Sequence, residues 1–162
     1  MNVQFSKFQQ LITNSIKYKI FMLTKLPMGF FSGLKIVELN EEKAAVSVRF
    51  KWLNQNPFQS IYFAVLSMAA ELSTGVLAFG NIYQRNPSVS MLVTKVEGEF
   101  FKKAVGKITF TCYDGTIIAN AIDTTLQTGE GVTVHCTSTG INEQGEIVAQ
   151  FIFIWSFKSK AV

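Results

Sequence analysis

Six stretches of this chain read as β-strands. Residues 33–39 and 44–50 are two apolar runs joined by Asn40-Glu41-Glu42-Lys43, a turn with three charges, and so predict a β-hairpin. In the second run Ala45, Ser47 and Arg49 alternate with Val46, Val48 and Phe50, which gives one buried and one more polar face. Residues 89–101 alternate in the same way. In 107–113, Ile108, Phe110 and Cys112 oppose Thr109, Thr111 and Tyr113. In 132–139, Val132, Val134 and Cys136 oppose Thr133, His135 and Thr137. Residues 146–158 are apolar on both faces, which predicts a central strand. A turn at Asn142-Glu143-Gln144-Gly145 joins the last two.

Helical spacing appears elsewhere. Phe5, Phe8, Leu11, Ile12, Ser15, Ile16 and Lys19 share one helical face, with Lys7, Lys17 and Lys25 around them, before a break at Pro27-Met28-Gly29. This stripe lacks the continuous apolar core of a secretory signal. It reads as a helix packed on its own domain, with a helix lying on a membrane as the alternative. Residues 58–79 form a second, longer helix. Asn56 is its expected cap and Pro57 suits its first turn. Residues 61–80 are long enough to cross a membrane, but Glu71 sits at their centre beside Ser67, Ser73 and Thr74, so the expectation is a core helix and no stable membrane span. A short helix over 116–127 would be capped by Thr116.

One long helix and six strands predict an α+β fold: a curved six-stranded antiparallel sheet wrapped around a central helix, plus an N-terminal helix. All 162 residues fit one domain, with 1–28 as a helical extension.

Hydrophobic residues make up 48% of the chain and charged residues only 16%, which excludes disorder and suggests a surface partly covered by a partner or ligand. The net charge of +4 is spread along the chain without a run of five like charges, so nucleic-acid binding is not expected. Two cysteines, Cys112 and Cys136, and a single histidine, His135, cannot assemble a Cys/His zinc site; no metal is expected. The cysteines read as reduced thiols of a cytoplasmic protein.

Between Trp52 and Gln84 the only charge is Glu71. At 100° per residue, Ser60, Ala64, Ser67, Glu71, Thr74 and Ala78 form a narrow polar face. Tyr62, Val65, Ala69, Leu72, Val76 and Phe79 form the expected core face. A buried carboxylate either finds partners, here Lys102, Arg85 or backbone amides, or keeps a raised pKa and marks a site.

The segment NQNPFQSIYFAVLSMAAELSTG, followed by a strand ending EFFKKAVGKI, resembles the hotdog fold of the acyl-CoA thioesterase superfamily. It is most similar to an uncharacterised branch related to PaaI-type thioesterases. The pattern is carried by Ser60-Ile61-Tyr62, Ala70-Glu71-Leu72 and the phrase from Phe100 to Gly106, over about residues 30–158. The resemblance implies a hotdog domain acting on acyl-CoA or acyl carrier protein thioesters. It also implies a homodimer or tetramer joined edge to edge, with sites at the interface. The chain departs from better-known members: Phe58-Gln59-Ser60 replaces their His-Gly-Gly, and Met68 stands where their acid lies.

Thioester hydrolysis needs a polarised carbonyl and an activated water. Amides at the helix start, near Ser60, Ile61 and Tyr62, are the expected carbonyl donors. Glu71 is the expected base, with Ser67 and Thr74 beside it, and Asn54 or Asn56 would hold the carbonyl or the water. Arg85, Lys102 and Lys103 are the expected partners of coenzyme A phosphates. No cofactor is expected beyond the coenzyme A of the substrate. His135 has no nucleophile motif near it, so a Ser-His-Asp triad is disfavoured. Two readings stay open: a thioesterase, and a non-catalytic acyl-binding module using the same slot.

Overall fold

A computed structural model describes Asn2 and residues 4–160. The strands are β1 (Lys35–Leu39), β2 (Ala44–Arg49), β3 (Val89–Phe100), β4 (Lys107–Cys112), β5 (Val132–Ile141) and β6 (Ile147–Ser159). They form one sheet in the order β1-β2-β4-β5-β6-β3, every neighbouring pair antiparallel. The helices are α1 (Phe5–Thr13), α2 (Ser15–Lys25), α3 (Pro27–Ser32), α4 (Phe63–Ile82) and α5 (Gly115–Thr128). The sheet curls around α4, which packs against β2, β3, β4, β5 and β6. This is the hotdog arrangement that the resemblance implies. The last strand, β6, lies inside the sheet between β5 and β3, as its two apolar faces predict.

The alternating strands send Val46, Val48, Ile108, Phe110, Cys112 and Cys136 inward, and each is at most 1% exposed. From β6 come Phe151, Phe153, Trp155 and Phe157. Inside the curl α4 buries Leu66, Ala69, Ala70, Ser73 and Leu77. Ser73 Oγ lies 2.7 Å from Ser138 Oγ on β5, so the polar atoms at this contact satisfy each other. Of the expected core face of α4, Val65, Ala69, Leu72 and Val76 are buried, whereas Tyr62 and Phe79 are exposed. The small face is covered as well: Thr74 and Ala78 are fully buried. The sheet covers one side of the helix and the N-terminal helices cover much of the other.

Several expected boundaries move, each for a local reason. The N-terminal helix breaks at Asn14, whose Oδ1 accepts from the Lys17 amide and starts α2. Phe5, Phe8 and Ile12 are buried as expected, but beyond the break Ile16 faces outward. The segment 27–32, read as a break, makes a short turn of helix begun by Pro27 and ended by Gly33 at φ 81°. The long helix starts at Phe63 rather than near 58. Asn56 does not cap it: its Oδ1 accepts from Phe58 N and Ser60 N, closing a local turn. Residues 55–61 close back in an isolated bridge between Gln55 and Ile61, and Ile61 N donates to Ala104 O. Thr116 is not the cap of α5 either. Asp114 precedes that helix, and its carboxylate accepts from Thr137 N at 2.7 Å instead of capping.

Gly115 opens α5 where the β1–β2 turn passes over it. An added Cβ would lie 2.0 Å from Glu41 O and 2.8 Å from Glu42 Cα, both backbone. Gly115→Ala is therefore expected to cost about 1–3 kcal/mol, as overpacking does. At Gly131, where nothing lies within 4 Å, the same change should be near neutral. Urea unfolding of the two variants checks the pair.

Candidate functional site

Glu71 lies midway along α4, on the side turned toward the N-terminal helices. Two adjoining clefts meet at it. One, of about 140 Å³, is walled by residues including Phe8, Phe21, Leu26, Leu72 and Met91. The other, of about 240 Å³, is walled by Lys25, Leu26, Met28, Met68 and Leu72, among others. Both have Leu26, Glu71 and Leu72 in their walls. Ile36 of β1 and Met91 of β3 line the first cleft together, so the two edges of the sheet approach each other here. The gap between them is roofed by α1–α3.

No side-chain hydrogen bond or ion pair reaches the Glu71 carboxylate among the described residues, and the expected partners Lys102 and Arg85 are engaged elsewhere. Burial pushes its pKa above the ordinary value of 4.5. The carboxylate extends toward Gly75, where an added Cβ would sit 3.0 Å from Glu71 Oε1 and 3.4 Å from the Trp155 ring. Its helical turn is held from the sheet. Trp155 Nε1 donates to Thr74 Oγ1 at 2.9 Å, and Thr74 Oγ1 donates to the Glu71 carbonyl at 2.9 Å. Thr74 is thus a structural brace for the acid.

The other expected site residues do not gather around Glu71. Asn54 is buried, donating to Ser32 O and Arg49 O and accepting from Lys51 N, so its amide is fully used in fixing the loop. The Asn56 oxygen is spent on Phe58 N, Ser60 N and Ser60 Oγ. The amides expected to polarise a carbonyl are occupied: Ser60 N by Asn56, Ile61 N by Ala104 O and Tyr62 N by Asn54 O. The unbonded amides of the helix start belong to Phe63 and Ala64. Glu71 is eight residues beyond Phe63, about 12 Å along the axis at 1.5 Å per residue. Ser67 is half-buried one turn before Glu71. Tyr62 is exposed, its ring edge-on to Phe63 at 4.8 Å.

Among the expected phosphate partners, Arg85 pairs with Asp123 at 2.7 Å and Lys102 with Glu146. Lys103 is exposed in the loop after β3. Lys25, not singled out by its pattern, lines a Glu71 cleft. The apolar walls from Phe8, Phe21 and Leu26 also escape sequence reasoning, because the docking of α1–α3 over α4 leaves no local signal. Thiol chemistry is disfavoured: burial raises the Cys136 pKa to about 12 and pushes Cys112 up as well. His135 is exposed on the outward side of β5.

A model of a protein family described as a domain of unknown function, DUF4442, matches residues 17–155. No curated protein matches the chain. Among solved structures, a Pseudomonas aeruginosa protein of unknown function, named a probable thioesterase, superposes with a TM-score of 0.75 at 20% identity, covering 90% of this chain and 96% of that one. A Chlorobaculum tepidum protein of unknown function gives 0.75 at 18% identity, covering 90% and 94%. A Haemophilus influenzae thioesterase gives 0.58 at 10% identity, covering 98% and 93%. At these identities the likeness shows a shared hotdog fold.

The raised pKa of Glu71 has a consequence for stability. The native state holds this proton more tightly than the unfolded chain does, so the group lowers stability as pH rises from the ordinary glutamate range through the folded pKa. Glu71→Gln does not titrate and escapes that loss. Its stability relative to the wild type should therefore be greater at pH 8 than at pH 4, as measured by denaturant unfolding at the two pH values.

Proposed function

The chain belongs to the DUF4442 family, and from that premise we propose that it is a thioester hydrolase acting on acyl-CoA or acyl carrier protein substrates beside Glu71. The observation that carries this reading is a single carboxylate, desolvated and without a side-chain partner among the described residues, between two largely apolar clefts. Such a group is a poor structural element and a competent base. Water attacks the thioester carbonyl carbon while Glu71 takes a proton from it. The C–S bond then breaks, and Glu71 returns the proton to the leaving sulfur. A carboxylic acid and a thiol leave, and no cofactor is consumed. The acyl chain lies against Phe8, Phe21, Met68 and Met91, and Lys25 meets the carrier's phosphate at the mouth. The cytoplasm, which holds acyl-CoA and keeps Cys112 and Cys136 reduced, is the matching compartment.

A homodimer, or a tetramer of two such pairs, completes this reading. Val96 and Phe100 of β3 oppose Phe153 and Ala149 in the register, on the inward side of the sheet, yet are 51% and 50% exposed. The β3 edge is twelve residues long and unpaired on one side. A second copy along that edge would satisfy its backbone and cover these side chains. Sedimentation at micromolar concentration should give a species of twice the chain mass or more, and a species of single-chain mass alone would reject this assembly.

The axial rise of about 12 Å between Phe63, whose amide is free, and Glu71 favours a second reading, a module that binds acyl chains without turning them over. Free thiol release from a panel of acyl-CoA thioesters separates the two. Hydrolysis is expected, and Glu71→Gln should lower it roughly 10²–10⁴-fold, the usual loss of a general base. Binding without thiol release by the wild type would leave only the module.

A further inference from the structure

The outward side of α2 is unusual for a surface that faces water alone. Ile16, Ile20 and Leu23, spaced i, i+4 and i+7, are 70%, 59% and 47% exposed. At 100° per residue they form one stripe, with Lys19 on one flank and Lys17 on the other. Tyr18, Phe21 and Met22 occupy the opposite side and pack on the body of the protein. The stripe is followed in the chain by Leu26 and Met28, 39% and 67% exposed, which also line the cleft beside Glu71.

Charge is as one-sided as shape. The first 37 residues contain five lysines and no Asp or Glu; all 11 acidic residues come later. The described lysines on α1 and α2, Lys7, Lys17, Lys19 and Lys25, are all exposed, and none forms an ion pair with a described residue.

We propose that this stripe is a docking surface for an anionic lipid bilayer. An 11-residue helix, about 16 Å long, is too short to span and suited to lie in the interface. Its three branched aliphatic side chains enter the boundary between headgroups and acyl chains. Lys17 and Lys19, one on each flank, extend outward so that their ammonium groups stay among lipid phosphates. An acidic carrier protein would meet the lysines but leaves the apolar stripe unexplained. A second copy of the chain would cover the stripe but brings the same lysines against it. Docking this way sets Leu26 and Met28, and so the cleft mouth, against the membrane surface. The surface does not depend on Glu71 being catalytic.

Co-sedimentation with vesicles tests it, using the full chain. Vesicles of equal parts phosphatidylglycerol and phosphatidylcholine should bind the protein, pure phosphatidylcholine should bind it poorly, and raised salt should release it. Lys17→Ala with Lys19→Ala should lower the partition constant roughly 30-fold, given the usual gain per lysine near an anionic surface. Ile20→Ser with Leu23→Ser should lower it at every salt concentration. All four side chains are exposed, so circular dichroism melts should match the wild type and show that lost binding is not lost folding. Hydrolysis of a short, water-soluble acyl-CoA should be unchanged in both variants, which separates failure of this surface from failure of the hydrolase reading. The proposal is overturned if the wild type ignores the mixed vesicles, or binds both vesicle types equally. It is equally overturned if purified acyl carrier protein binds while vesicles do not, or if Ile20→Ser with Leu23→Ser dissolves an oligomer and leaves vesicle binding intact.

Discussion

Six strands can curl around one helix, but they cannot close on themselves at that size, and the open seam between β1 and β3 governs the rest of the molecule. The helix inside, α4, is apolar on nearly every side because nearly every side must be covered. Five strands cover most of it. What they leave bare is covered by α5, with Ile118 and Ile122 in the core, and by α1–α3, whose Phe5, Phe8, Ile12 and Met22 are core residues. The N-terminal helices therefore complete the hydrophobic core, and the clefts beside Glu71 are the imperfect part of that fit.

The seam also accounts for the chemistry available. A carboxylate facing the sheet would meet close-packed aromatics from β6. Toward the seam, Glu71 has the Trp155 ring near Gly75 on one side and, on the other, N-terminal helices that leave two clefts beside it. The Trp155–Thr74 hydrogen bond fixes the turn from the sheet side, while the glycine at 75 leaves space for the carboxylate itself. The acid is thereby held by its own backbone, and no side chain among the described residues neutralises it.

Strands such as β4 and β5 were legible in the sequence because a buried face alternates with a more open one, which writes a period of two into the residues, and β6 was legible as a central strand because both its faces are apolar. The acid was legible because it is the single charge in a long apolar run. The start of α4 was not, because Asn56-Pro57 has the local chemistry of a helix cap and spends it on a different turn. Nor was the isolation of the Glu71 carboxylate from side-chain partners among the described residues. Asn54, Ser60 and Ile61 have the right types for a site, but their hydrogen bonds are taken by Ser32, Asn56 and Ala104, contacts made across the fold rather than along it. The same holds for Phe8, Phe21 and Leu26. Nothing in their own neighbourhood says which surface they will close.

The order in which α4 and its cover are made carries a cost during synthesis. Residues 63–82 leave the ribosome before β3, β4, β5 and β6, which occupy residues 89–159. Gly75 and Gly80 each weaken the isolated helix by about 1 kcal/mol relative to alanine, so it cannot rely on its own propensity while it waits. For that interval a nearly uncharged segment, as apolar as a membrane span, lacks the four strands that later cover it, while the β1–β2 hairpin and α1–α3 are already made. A nascent chain of this design carries exposed apolar surface, and with it a tendency to aggregate, until its later strands are made.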